Sequence, residues 1–130
     1  MNNKVLLDSS ALLALFHNEK GAEKVWSIIG EGGVAISAIN YSEVVGKFSE
    51  LGKDPQAVKD ACDNMNIAII PVDREIAHIA GLLRQSTKML GLSIGDRICL
   101  STAQVHSLKV ITCDREWLHV RTAAEIDCIR

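Results

Sequence analysis

No basic stripe runs along this chain. Its 130 residues carry 14 Lys and Arg against 16 Asp and Glu, a formal net charge of −2. The usual electrostatic footprint of a nucleic-acid binder is missing, although a bound cation can become the largest local charge and reverse that argument. No apolar run approaches the roughly 20 residues of a membrane span. The opening Met1-Asn2-Asn3-Lys4 passes straight into a strand-like run, without the apolar stretch and small-residue cleavage site of a signal peptide. The expectation is a soluble, cytoplasmic protein without membrane association. Cys62, Cys99, Cys113 and Cys128 form no C-x-x-C pair, so zinc spacing is absent; each sits beside apolar residues, as reduced core thiols do. His17, His78, His106 and His119 occur singly, and no Ser-His-Asp arrangement is legible. There is no G-x-x-x-x-G-K motif, and Gly30-Glu31-Gly32-Gly33 precedes a strand instead of following one, which excludes a phosphate loop.

What is present is apolar and periodic. Hydrophobic residues make up 48% of the chain, too many for a disordered segment. The length favours one domain over residues 1–130, with one core. Strand candidates fall at Lys4–Leu7, Val34–Ile36, Ile67–Val72, Leu108–Cys113 and Ile126–Ile129. Pro71 assigns the third to a sheet edge or a strand terminus. Between them lie helical patterns. Ala11–Phe16, capped by Ser9 or Ser10, is apolar all round and so buried on more than one side. Leu12, Leu13, Leu15 and Phe16 make a wide face, which suggests a second copy of the chain and hence a homodimer. Gly21–Ile29 follows, and Gly30 to Gly33 reads as a turn. Asn40-Tyr41-Ser42-Glu43 loosely matches a capping box and opens a helix to about Leu51. Asp54-Pro55 restarts a helix to about Asn64. Glu75–Leu90 repeats apolar residues at helical spacing, Ser93 opens a helix to about His106, and Arg115–Leu118 is a short turn or helix. Strands alternating with helices imply a three-layer α/β/α domain with a mostly parallel central sheet.

Four acids fall where one element gives way to the next: Asp8, Glu43, Asp96 and Asp114. Singly, each reads as a helix cap or as a first-turn acid facing the helix dipole. Together they would project from one end of a parallel sheet, where ligands of open α/β sheets bind. Crowded carboxylates resist ionisation unless a cation is present, and hard oxygen ligands suit Mg²⁺ or Mn²⁺. The combination points to a metal-dependent phosphodiester site. Spacing alone leaves one ambiguity: Asp73-Arg74-Glu75 follows its apolar run much as Asp114-Arg115-Glu116 follows Ile111-Thr112-Cys113.

Four segments, in order, resemble the motifs of PIN-domain proteins, specifically VapC-type toxin ribonucleases. They are Val5-Leu6-Leu7-Asp8-Ser9-Ser10-Ala11-Leu12-Leu13-Ala14, Ser37-Ala38-Ile39-Asn40-Tyr41-Ser42-Glu43-Val44, Leu92-Ser93-Ile94-Gly95-Asp96-Arg97 and Thr112-Cys113-Asp114-Arg115-Glu116-Trp117. The departure is Cys113, where the family usually has a small residue. The resemblance implies a metal-dependent endoribonuclease, the toxin of a type II pair restrained by a cognate antitoxin. It makes Asp8, Glu43, Asp96 and Asp114 the catalytic acids. Asp8, Asp96 and Asp114 would hold Mg²⁺ or Mn²⁺, and Glu43 would orient the attacking water. Ser10 and Thr112 would support them as hydroxyls, with Asp73 a structural cap. Cleavage would leave 5′-phosphate and 3′-hydroxyl ends. Lys47, Arg97 and Arg115 lie near the motif acids in sequence and are candidates to meet RNA phosphates. An antitoxin segment would present an amphipathic helix, and a basic side chain to the carboxylates. Two alternatives differ in kind: a PIN fold without catalysis that only binds a partner, and a phosphoacceptor receiver domain. A receiver needs a lysine after a late strand, where this chain has Asp114-Arg115-Glu116.

Overall fold

Neighbouring residues on a strand face opposite sides of a sheet, and the central strands here are apolar on both. Leu6, Ala35 and Val110 enter one buried cluster; Leu7, Ile36 and Ile111 enter the other. A sheet buried on both faces needs helices on both. The computed structural model, which describes residues 2–130, has that architecture. Strands β1 (Val5–Leu7), β2 (Val34–Ser37), β3 (Ala68–Ile70), β4 (Lys109–Thr112) and β5 (Glu125–Cys128) form one sheet in the order β3-β2-β1-β4-β5. Every pairing is parallel. Helices α1 (Ser9–Phe16), α2 (Ala22–Glu31), α3 (Ala38–Glu50) and α4 (Gln56–Asn64) supply Leu12, Val25, Val44 and Val58 to the Leu7 side. Helices α5 (Arg74–Thr87) and α6 (Ile94–His106) supply Ile76, Ala80, Ile98 and Leu100 to the Leu6 side. No helix among the described residues is long and apolar enough to cross a membrane.

The chain winds outward from β1 through β2 to β3, then returns across the sheet to β4. The strand order therefore reverses between β1 and β4, and the crevice of such a sheet opens there, beyond the carboxyl ends. Register makes those ends level, because Leu7 pairs with Ile36 on one side and Ile111 on the other.

Several local expectations are corrected. Asp8, not Ser9 or Ser10, caps α1. Gly30 and Glu31 belong to α2, and only Gly32 and Gly33, at φ 83° and 72°, make the turn. Ser37 caps α3, so Asn40 lies inside the helix and Glu43 falls in its second turn, outside any capping box. The apolar face of α1 serves the chain's own core. Leu12 is fully buried, and Leu13, Leu15 and Phe16 pack against the same core, because α1 is wedged between α2 and α3. Leu13, Leu15 and Phe16 nevertheless stay partly exposed.

Asp73 caps α5, its Oδ1 accepting from the Ile76 N–H at 2.9 Å. It follows the edge strand β3, which β2 separates from β1. Asp73→Ala should therefore cost about 0.5–2 kcal/mol in denaturant unfolding, the value of a lost cap. A much larger loss would show that Asp73 does more than cap.

Candidate active site at the carboxyl edge

β1 delivers Asp8 to the switch point, where it is 3% exposed. Its Oδ1 accepts from the Ala11 N–H (2.8 Å) and Ser10 Oγ (2.7 Å), and its Oδ2 accepts from Thr112 Oγ1 (2.5 Å). The two hydroxyls also bind the far side of the crevice. Ser10 Oγ accepts from the Cys113 N–H and Thr112 Oγ1 from the Asp114 N–H, each at 3.0 Å. One carboxylate thus stitches the end of β1 to the end of β4. Burial pushes its pKa up to about 6; the three hydrogen bonds oppose the rise, and the charge of Asp96 adds to it.

The other acids arrive from separate elements. Asp96 closes a capping box at the start of α6: Ser93 Oγ accepts from the Asp96 N–H (3.1 Å), and Asp96 Oδ2 accepts from the Ser93 N–H (3.0 Å). Asp114 is exposed, its Oδ1 accepting from the Glu116 N–H at 2.9 Å to cap the 3-10 turn Arg115–His119. Glu43 projects from α3. Cys99 on α6 is fully buried, its thiol pushed well up by burial and further by the charges of Asp8, Asp96 and Glu43. Among the described residues no three of these groups form a ready-made cation cage. Each is held instead by its own local donor. None has a Lys, Arg or His within ion-pair distance among the described residues.

Two residues without a sequence-based role fix Glu43. Asn40 is buried, and its Nδ2 donates to Glu43 Oε1 (2.7 Å) and to the Gly95 carbonyl (3.1 Å). Its Oδ1 accepts from Ser37 Oγ at 2.6 Å, which sets the amide's orientation. Gly95 lets the carboxylate approach: a Cβ there would overlap Glu43 Oε2 and lie 2.8 Å from Oε1. The absent side chain, one residue before Asp96, is what joins α3 to α6. Both residues stand inside the quoted motifs, but their signal was masked because Asn40 also reads as a helix cap.

Of the cationic candidates, Lys47 is exposed on α3, 4.0 Å from Glu50. Arg115 is exposed, its Nε donating to a main-chain oxygen of Arg130 at 3.0 Å. Arg97 is corrected: it is 7% exposed and its Nη1 donates to the Ala80 carbonyl of α5 at 3.0 Å. One residue along a helix is a turn of about 100°, which carries Arg97 from the acidic edge into the α5–α6 interface, away from any phosphate.

A doubly wound parallel sheet with carboxylates at its switch point is the class that fold and site define. The chain belongs to the PIN domain family, whose model matches residues 5–123, and the receiver alternative falls with that match. Among solved structures it is similar to a toxin–antitoxin complex from Klebsiella pneumoniae, at 28% identity and TM-score 0.70 over 88% of this chain and 90% of that one. It shares its fold with DNA-bound VapBC from Salmonella typhimurium (17% identity, TM-score 0.73, 98% and 99% covered). The same holds for VapBC2 from Rickettsia felis bound to promoter DNA (16% identity, TM-score 0.73, 95% and 97% covered). No curated protein matches it in sequence.

The raised pKa of Asp8 has a stability consequence in metal-free buffer. The folded state holds this proton more tightly than the unfolded chain does. Asp8 is thus harmless below about pH 3.8, and stability falls as pH rises from there through about 6. At neutral pH the ionised form costs on the order of 3 kcal/mol. Asp8→Asn should therefore unfold at higher denaturant than wild type at pH 7, with the gap closing between pH 6 and pH 4. A variant less stable than wild type at pH 7 would contradict this account.

Proposed function

We propose that the chain is a divalent-metal-dependent endoribonuclease of the VapC type, acting in the cytoplasm as the toxin of a toxin–antitoxin pair. One observation carries the reading: in a PIN-family chain, four acids at the carboxyl edge of the sheet lack any basic partner among the described residues.

The donor set fits Mg²⁺ or Mn²⁺, being all carboxylate oxygen with uncompensated negative charge. Asp8, Asp96 and Asp114 would hold the ion. When bound, it would lower the pKa of a water molecule and offset the charge that builds on the phosphate. The remaining work belongs to the chain. Ser10 and Thr112 fix Asp8 in one orientation. Asn40 occupies Glu43 Oε1, leaving Oε2 to accept the proton of the attacking water. Lys47 and Arg115 are exposed to meet phosphates. The partner proposed is an antitoxin, as in the toxin–antitoxin complex that the chain resembles at 28% identity. Its basic side chain would take the cation's place among the carboxylates, so inhibition and metal binding would compete.

Asp8→Asn and Asp96→Asn should each abolish Mg²⁺- or Mn²⁺-dependent cleavage of total RNA while still melting cooperatively. Full activity in either variant would remove the site assignment. Gly95→Ala tests the placement of Glu43 separately. Its new methyl meets the mobile end of a side chain, so the fold should hold, while a displacement of about 1 Å can cost about 10²-fold in rate. Unchanged cleavage by a folded Gly95→Ala protein would show that the position of Glu43 does not matter.

A further inference from the structure

Resting on the ribonuclease reading, we infer that Arg115, Arg130 and Lys20 form a phosphate track that guides single-stranded RNA onto the acidic edge. Arg115 directly follows Asp114. Its Nε donates to a main-chain oxygen of Arg130, and the Nε of Arg130 donates to the main-chain carbonyl of Lys20, each at 3.0 Å. Each guanidinium thereby commits one N–H to a main-chain oxygen and keeps its four terminal N–H groups for a ligand. No carboxylate side chain pairs with any of the three among the described residues, whereas Lys47, Lys59 and Lys109 each face one.

The strip has a defined course. The Ile129 N–H donates to the Thr112 carbonyl at 2.9 Å, which lays the chain after β5 beside Cys113 and Asp114. Ile129 in turn closes on the turn before α2, where a Cβ on Gly21 would lie 3.1 Å from Ile129 Cδ1. A cavity of about 440 Å³ opens there, lined by Lys20, Lys24 and Ile129, with Glu19 and Glu23 sharing the lining. The track thus runs from the site at the end of β4, across the β5 edge, to the start of α2.

Its chemistry selects the ligand. Four carboxylates repel an approaching phosphodiester, so a polyanion needs fixed positive charge beside them. Arginine forks bind phosphate in two-point geometry, and such contacts position a strand without reading its sequence.

The test uses the full chain in two measurements. In metal-free buffer, anisotropy of a short fluorescent single-stranded RNA is followed at several salt concentrations. Arg115→Gln, Arg130→Gln and Lys20→Gln should each weaken binding several-fold for any RNA sequence. Each should also lower the slope of log affinity against log salt by about 0.7. Arg130→Lys, which keeps the charge and loses the Nε contact, should retain most of the affinity; equal loss in Arg130→Lys and Arg130→Gln would mean a packing role and overturn the track. Lys59→Gln, on α4 leading into the opposite sheet edge, should bind as wild type; an equal loss there would mean diffuse attraction and also overturn it. In Mg²⁺, the three Gln variants should raise KM more than they lower kcat. Unchanged binding in all three, with metal-dependent cleavage intact, would overturn the track and leave the ribonuclease reading standing. A wild-type protein that neither binds nor cleaves RNA would overturn both.

Discussion

The hydrogen bond from Thr112 Oγ1 to Asp8 Oδ2 holds the rest of this structure's chemistry together. It joins the last residue of β4 to the first residue after β1, across the point where the winding of the sheet reverses. Because Thr112 gives its only proton to Asp8, its oxygen is left to accept from the Asp114 N–H. The acid of one motif is thereby aimed by the hydroxyl of another, about a hundred residues away in sequence. Parallel register makes the contact possible, since Leu7 lies level with Ile111 and Ile36.

That arrangement carries an electrostatic cost. Asp8 is buried, the charge of Asp96 raises its pKa further, and no basic side chain answers the acids among the described residues. A domain selected for stability alone would place a neutral residue at position 8. The retained charge would suit a hard cation, and pKa perturbation of this kind clusters at functional sites. Ser93, Asn40 and the Glu116 N–H each hold one acid by a local hydrogen bond.

Legibility in the sequence followed the range of the interaction. Strands and helices were readable because apolar runs and 3.6-residue repeats are local, and the parallel three-layer sheet follows from their alternation. Asp8 and Asp114 were visible as acids closing apolar runs. Spacing alone did not separate Asp73 from Asp114; the motif resemblance did, and strand order, a long-range property, puts β4 beside β1 and β3 at the edge. Asn40 was misread because Ser37 and Asn40 are both good caps one turn apart, and the one that caps is decided by where β2 ends. Arg97 was misplaced because adjacency in sequence to Asp96 is not adjacency on a helix. The apolar breadth of α1 was legible, but its packing against α2 and α3 was not, because those contacts are long-range.

The central claim is that these carboxylates form one divalent-cation site. Calorimetric titration of Mn²⁺ into metal-free protein at neutral pH tests it most directly. The account predicts saturable binding in the wild type, loss of that binding in Asp114→Asn, and binding retained in Asp73→Asn. Binding that survives in Asp114→Asn but disappears in Asp73→Asn would contradict it.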